Sequence, residues 1–209
     1  MPDALPEGIL WVAATPRELA CVPRSAPGRR LVTGCGPAAA AAVLALELAR
    51  APRPALVVGI GVAGAYPGAG VEVGAVARVA FDGFCDLGAE SGDGFLELWD
   101  LGFPDTGVER LFSLAAPGFL ERLDSAVGAT CSTCTGSEST ARARRARTGA
   151  ALETMEGAAW ALACARADVP FSQVRSVSNL AGPRDRAAWK LPEALSALER
   201  ALEESCRSI

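Results

Sequence analysis

Histidine is absent from the 209 residues of this sequence. The absence excludes catalytic triads and dyads that use an imidazole base, and it excludes zinc sites with histidine ligands. Acid, base and water-positioning roles must therefore fall to carboxylates, amides, lysine, cysteine or the single tyrosine, Tyr66.

Long apolar runs and an excess of positive charge are also lacking. No uninterrupted apolar run reaches the roughly 18 residues that span a bilayer. The first residues, MPDALPEGIL, have no basic region before an apolar one, so we expect no signal peptide, no membrane association and a cytoplasmic location. The net charge of −4 argues against a general affinity for nucleic acid, so no nucleic-acid partner is expected.

The seven cysteines are an odd number scattered over the chain, which favours reduced thiols in a cytoplasmic protein. The segment CSTC (131–134) has the spacing of a metal-binding or redox pair. No second pair accompanies it, and it does not open a helix after a strand as a thioredoxin motif does. We therefore expect neither a zinc-binding nor a redox role for this pair, and we expect no metal and no organic cofactor in the protein.

Strand-like and helix-like segments alternate along the chain. Continuous apolar strands between helices indicate a mainly parallel or mixed sheet with helices on both faces, so we predict one α/β domain over residues 1–209. The segment 137–150 is polar and basic and reads as a loop or an exposed helix. Strands are predicted at 9–15, 29–36, 55–66, 71–84, 127–136 and 170–179, and helices from Pro37, over 152–163 and over about 186–206.

The segment GIGVAG (59–64) matches the glycine fingerprint of dinucleotide-binding proteins. That motif requires a helix to follow at once, and here the chain continues as AYPGAG instead. Two interpretations stay open: a tight turn after a buried strand, or a loop whose bare backbone approaches a small ligand. On the second interpretation, Val62, Ala63 and Gly64 are candidate substrate contacts.

Two acids precede the apolar stretch in LETMEGAAWALA (152–163), which we predict to be a helix. Glu153 reads as an exposed acid in the first turn. Glu156 can be read in the same way, because the helix macrodipole favours acids at this end. The pattern alone does not separate that interpretation from a functional one.

Four segments occur along the chain in an order that is similar to that of a known protein family. VAATPRELA places Glu18 after the first strand, GIGVAG follows a middle strand, ETMEGAA contains Glu156, and SVSNLAGPRD places Ser178 and Asn179 after a late strand. In this order the chain resembles the purine nucleoside phosphorylase and nucleosidase superfamily. The resemblance covers nearly the whole chain except about 85–125, and MEGAA followed by RSVSN and GPRD looks most like the futalosine hydrolase family.

The resemblance implies roles that fit the chemistry of N-glycosidic cleavage. Such a reaction develops positive charge on the ribose in an oxocarbenium-like transition state, which a nearby carboxylate stabilises. By resemblance, Glu156 binds the ribose hydroxyls, Met155 packs on the sugar and Glu18 activates the attacking water. A phosphorylase would have to hold phosphate near Glu18, which that carboxylate would repel.

Asn179 departs from the adenine-specific nucleosidases that the chain resembles, which have aspartate there. An amide donates through its NH2 and accepts through its carbonyl, so it suits O6 and a protonated N7 of hypoxanthine. Ser178 is expected to support this base site. Water or Asp185 is a candidate source of the N7 proton, and Arg184 is a candidate partner for the benzoate carboxylate of futalosine.

The resemblance therefore implies an N-glycosyl hydrolase that releases hypoxanthine from futalosine, a step toward menaquinone. It also implies a homo-oligomer, at least a dimer. The alternatives are a methylthioadenosine-type nucleosidase, a phosphate-dependent purine nucleoside phosphorylase, and a purine-binding module without turnover.

Overall fold

A computed structural model describes residues 8–92, 94–103 and 107–207. Strands and helices alternate along most of this range, and short 3-10 turns lie at Gly118–Leu120 and Arg186–Ala188. The strands are β1 (Ile9–Ala13), β2 (Arg29–Val32), β3 (Leu56–Ala65), β4 (Val76–Phe84), β5 (Gly88–Ser91), β6 (Gly94–Glu97), β7 (Phe112–Ser113), β8 (Ser125–Thr130), β9 (Leu152–Thr154) and β10 (Phe171–Leu180). The helices are α1 (Pro16–Leu19), α2 (Pro37–Leu48), α3 (Glu138–Thr148), α4 (Gly157–Ala167) and α5 (Leu191–Arg207).

A mixed sheet forms the centre of the described structure, in the order β10-β4-β8-β9-β3-β1-β2, with β7 beside β4. Strand β10 also pairs with β3, so β3, β10, β4, β8 and β9 close into a ring, and β1 and β2 extend it. Strand β3 is parallel to β1 and β10, whereas β4 is antiparallel to β10 and β9 is antiparallel to β3. The short strands β5 and β6 form a separate hairpin.

Helices cover both faces of the sheet. Successive side chains of β1 point to opposite faces and are all apolar, so both faces must be covered. Leu10 and Val12 face a core that includes Leu44 of α2 and residues of α4. Trp11 faces the opposite core, which includes Leu198 of α5. The predicted α/β class, with a mixed sheet between helices, is confirmed. One domain over 1–209 stays a prediction, because that range includes residues outside those described.

The predicted helix over 152–163 is wrong at its start. Residues Leu152–Thr154 form β9, which fits between β3 and β8, and α4 begins only at Gly157. Helix α4 is almost wholly buried against α2 and the sheet, which accounts for its lack of charge until Arg166. The segment 137–150 adopts the exposed-helix alternative, as α3.

The predicted glycine-rich loop at 59–64 is also wrong, because these residues continue β3 as a buried strand. The glycines are needed for close packing rather than for a turn. A Cβ at Gly59 would lie 2.8 Å from a ring carbon of Trp160. A Cβ at Gly61 would lie 2.6 Å from both Glu18 Oε1 and Arg175 Nη1.

Some predicted ends also differ. Strand β4 begins at Val76 rather than 71, β2 ends at Val32, and CSTC follows β8 as a loop. Helix α5 begins at Leu191, after the 3-10 turn. Within the described parts of the chain, no helix has both the length and the hydropathy needed to span a bilayer.

Candidate active site

A cavity of about 310 Å³ lies at the edge of the sheet where β1 and β10 end. Because β1, β3 and β10 are parallel, their carboxyl ends meet at this edge, where open α/β sheets bind ligands. The cavity lining brings together nine residues that the sequence singled out for catalysis or substrate binding, but not Asp185. They are Glu18, Val62, Ala63, Gly64, Met155, Glu156, Ser178, Asn179 and Arg184.

Glu18 is held in place by a capping box at the start of α1. Its Oε2 accepts hydrogen bonds from the amide (3.1 Å) and hydroxyl (2.7 Å) of Thr15, and its Oε1 accepts from the Val62 amide (3.1 Å). An ionised carboxylate offers about four acceptor positions, so about one is left for a molecule in the cavity. The side chain is thus oriented before any ligand binds.

Glu156 precedes α4 directly, but its side chain does not cap that helix. Its Oε1 accepts a hydrogen bond from the Gly36 amide at 3.1 Å, and its Oε2 lies 3.4 Å from Arg175 Nη2. Both Glu156 and Arg175 are buried, so this is an interior ion pair beside the cavity. A plain helix-start acid would not be drawn inward in this way.

A chain of polar side chains continues from this ion pair into the core. Arg175 Nε donates to Gln173 Oε1 (2.8 Å), Gln173 Nε2 donates to Asp82 Oδ2 (2.9 Å), and Thr130 Oγ1 donates to Asp82 Oδ1 (2.9 Å). Asp82 is fully buried, and desolvation raises its pKa to about 6, although the hydrogen bonds from Gln173 and Thr130 oppose the rise. The cavity-facing Glu156 is therefore connected to a carboxyl group in the interior.

The polar side chains of Asp82 and Gln173 leave no room for a side chain at position 157, which is glycine. A Cβ at position 157 would lie 2.0 Å from Asp82 Oδ2 and 2.5 Å from Gln173 Oε1. The glycine of the MEG segment thus lets α4 begin directly against the buried polar groups.

Asn179 lies at the end of β10, where the pairing with β3 shifts by one residue between Val177 and Asn179. Such irregularities redirect side chains near active sites. The Ser178 hydroxyl donates to Asn179 Oδ1 at 2.8 Å, and Asn179 Nδ2 donates to the Leu180 carbonyl at 2.9 Å. One N–H of the amide has no partner in these contacts and is available to a ligand in the cavity.

Arg184 is exposed, and its guanidinium carbon lies 5.5 Å from the ring centroid of Trp189. Both side chains line the cavity. Asp185, the other candidate proton donor, instead caps the 3-10 turn by accepting from the Ala187 amide at 2.9 Å. It is not among the residues that line the cavity.

A sequence model of the phosphorylase superfamily matches residues 30–209. The chain belongs to the phosphorylase superfamily. The resemblance of the chain to this superfamily is therefore confirmed.

Individual members of the superfamily show further similarity. The chain is 42% identical to a futalosine hydrolase of Thermus thermophilus over 82% of this chain and 78% of that protein. Its fold matches a futalosine hydrolase of Helicobacter pylori (TM-score 0.79, 14% identity, 97% of this chain and 98% of that chain). It also matches a 5′-methylthioadenosine/S-adenosylhomocysteine nucleosidase of Colwellia psychrerythraea in complex with adenine (TM-score 0.78, 18% identity, 98% and 97%). The fold alone does not separate the two activities.

The prediction that Glu153 is an exposed acid is wrong. Its side chain is buried in β9, where it accepts hydrogen bonds from Tyr66 Oη (2.9 Å), the Thr135 amide (2.9 Å) and the Thr135 hydroxyl. Arg144 Nη1 lies 3.1 Å from its Oε2. Because β9 lies between two other strands, little solvent reaches the Glu153 side chain, and these donors compensate its buried charge.

The sequence reasoning missed the buried chain of Asp82, Gln173 and Arg175. One signal was present: in the apolar strand FSQVRSVSN, Gln173 and Arg175 occupy alternate positions and so share one face. It also missed part of the cavity lining, which includes Thr15, Cys35, Cys134, Thr135, Glu153, Trp189 and Leu195.

Two groups of sulfur and oxygen atoms near the cavity are close enough to share a metal ion: Cys85, Asp86 and Cys131, and Cys131, Cys134 and Glu153. The carboxylates in both groups already accept hydrogen bonds from the protein. Asp86 accepts from two backbone amides, and Glu153 accepts from the donors described above. The arrangement favours a hydrogen-bonded role for these acids. The expectation that the protein needs no metal or cofactor stays a prediction.

Proposed function

We propose that this chain is a nucleosidase that hydrolyses the N-glycosidic bond of futalosine and releases hypoxanthine and dehypoxanthine futalosine. The observation that supports it most is the 42% identity to a futalosine hydrolase over most of both chains. The cavity supports it as well, because the carboxylates of Glu18 and Glu156 and the Asn179 amide line the same space.

In this proposal the two carboxylates have different roles: Glu18 acts on the attacking water, and Glu156 acts on the sugar. Glu18 has about one free acceptor position, which holds the attacking water and takes up its proton. Glu156 accepts hydrogen bonds from the ribose hydroxyls and offsets the positive charge that develops on the sugar. Met155 packs on the sugar ring, and the backbone at Val62, Ala63 and Gly64 contacts the substrate.

The base is recognised through Asn179. Its free N–H donates to O6 of hypoxanthine, and the Ser178 hydroxyl fixes the orientation of the amide. Because an amide is no acid near neutral pH, the proton on N7 comes from water. Asp185 is the weaker source, since it caps a turn outside the cavity lining.

Arg184 supplies the charge for the benzoate carboxylate on the 5′ side of futalosine. Its place at the exposed part of the cavity lining supports this role. We further propose a homo-oligomer, at least a dimer, and a cytoplasmic location, where reduced cysteines are usual.

The test is to incubate the purified protein with futalosine, inosine and methylthioadenosine, each with and without phosphate, and to measure free base by chromatography. We expect hypoxanthine from futalosine without phosphate. A requirement for phosphate would identify a phosphorylase, and preferred release of adenine would identify a methylthioadenosine-type nucleosidase. Tight binding of futalosine without cleavage would identify a binding module.

A further inference from the structure

Three cysteine thiols form a row beside the cavity. The Cys131 sulfur lies within 4.8 Å of the sulfurs of both Cys134 and Cys85, and the Cys131 thiol donates a hydrogen bond to the Thr154 carbonyl at 3.4 Å. Cys85 and Cys131 are buried, whereas Cys134 is half-buried and lines the cavity. A small molecule in the cavity can therefore reach the first thiol of the row but not the other two.

The turn that carries CSTC is held so that the sulfurs of Cys131 and Cys134 stay together. The Asp86 carboxylate accepts hydrogen bonds from the amides of Ser132 (2.9 Å) and Thr133 (3.2 Å). Arg144 Nη1 donates to the Thr133 carbonyl at 2.7 Å. These contacts fix the backbone between the two cysteines, so the approach of their thiols is built into the turn.

The two thiols are unequal in a way that suits stepwise chemistry. Interaction with the neighbouring Cys131 thiol lowers the pKa of Cys134 to about 7, and the Arg184 charge also lowers it, against burial and the Glu153 charge. The pKa of Cys131 is raised by its interactions with Cys134 and Cys85 and by burial. The accessible thiol is thus the better nucleophile near neutral pH, and its buried neighbour keeps its proton.

We propose that Cys134 and Cys131 are a redox pair that a hydroperoxide entering the substrate cavity oxidises to a disulfide. The Cys134 thiolate attacks the terminal oxygen of the hydroperoxide, the O–O bond breaks, and the other oxygen takes up a proton from solvent and leaves as water or an alcohol, so that Cys134 becomes a sulfenic acid. The Cys131 sulfur then attacks the Cys134 sulfur, the S–O bond breaks, and the Cys131 proton leaves with the hydroxide as water. For hydrogen peroxide, two thiols are oxidised and two waters are formed.

Formation of the disulfide changes the cavity wall. The two sulfurs must approach to about 2.05 Å, which draws the Cys134 side chain toward Cys131 and away from the cavity. Thr135, the next residue, also lines the cavity and binds Glu153. Glu18 is held by other contacts, so oxidation should change KM for futalosine more than kcat. This kinetic effect rests on the proposed function, whereas the disulfide itself does not.

The test is mass spectrometry of EDTA-treated protein after exposure to hydrogen peroxide and alkylation with iodoacetamide. Trypsin releases residues 123–142 as one peptide, which contains Cys131 and Cys134 and no other cysteine. We expect this peptide to lose two hydrogens and both alkylation sites, and dithiothreitol to restore them. Cys134→Ser should prevent the change, and Cys131→Ser should leave a sulfenic acid on Cys134 that dimedone traps.

The matched control is Cys35→Ser. Cys35 is exposed and also lines the cavity, but burial and the charge of Glu156 raise its pKa. The disulfide should form in this variant as in the unmodified chain. The proposal is overturned if residues 123–142 keep both thiols after oxidation, or if the disulfide joins Cys131 to Cys85 instead. Absence of futalosine turnover with a reversible disulfide would count only against the proposed function.

Discussion

Replacing Arg175 by methionine should destabilise the protein, because it leaves the Glu156 carboxylate buried without its ion partner. Arg175 is 1% exposed and lies with Nη2 at 3.4 Å from Glu156 Oε2. Its Nε and Nη1 also donate to Gln173 Oε1 (2.8 Å) and to the Val62 carbonyl (3.3 Å). Methionine fills a similar volume but offers none of these three contacts.

The expected loss in the free energy of unfolding is about 3–5 kcal/mol, the usual cost of removing one partner of a buried ion pair. Removing Glu156 as well should recover part of this loss. In Glu156→Gln/Arg175→Met no uncompensated charge is left, so the double variant should lose less than the sum of the two single losses, by about 1–3 kcal/mol.

Urea unfolding followed by tryptophan fluorescence measures the free energies of all the variants. The matched control is Arg200→Met, because Arg200 is exposed on α5 and its replacement should change stability by less than about 0.5 kcal/mol. If Arg175→Met costs no more than this control, the ion pair does not support the cavity wall and the reasoning is refuted. Additive losses in the double variant would refute the coupling to Glu156.

Three further variants test the proposed chemistry and the interior acid. Glu18→Gln should abolish turnover yet leave futalosine binding measurable by calorimetry; full activity would remove Glu18 from the mechanism. Asn179→Asp should shift the ratio of rates from inosine-type toward adenosine-type substrates, and an unchanged ratio would contradict the base-recognition argument. Burial raises the Asp82 pKa to about 6, so the folded chain binds this proton more tightly than the unfolded chain does. Asp82 should therefore add stability that is complete below about pH 4 and lost as the pH rises through 6, in total about 3 kcal/mol. Asp82→Asn should remove this slope in urea titrations at several pH values, and an unchanged slope would refute it.

The sequence predicted well the features that depend on local pattern. The apolar runs mark β1, β3 and β10. The capping box Thr-Pro-Arg-Glu, which holds Glu18 at the start of α1, is an equally local pattern, but it was not predicted. Because the carboxyl ends of parallel strands share one edge, the side chains after these strands could be expected together, and the structure brings them together.

Features that depend on distant partners were predicted poorly. Strand β9 has only three residues, and its sequence continues into α4 without a break, so only its pairing with β3 and β8 distinguishes it from helix. Glu153 reads as an exposed acid for the same reason. Its partner Tyr66 lies 87 positions earlier in the chain, and no local pattern indicates that contact.

The carboxylates of Glu18 and Glu156 are both held by donors from distant parts of the chain, which connects the function of the site to folding. Glu18 is held by the Val62 amide of β3, and Glu156 is held by the Gly36 amide before α2 and by Arg175 of β10. None of these donors belongs to the segment that carries the acid. The capping box with Thr15 is local to Glu18, but the Val62 contact of Glu18 and the contacts of Glu156 with Gly36 and Arg175 exist only when β3, β10 and the start of α2 have assembled. Separation of these elements would leave Glu156 without these donors and Glu18 with only those of Thr15, so binding of the ribose should be lost as soon as the sheet begins to open.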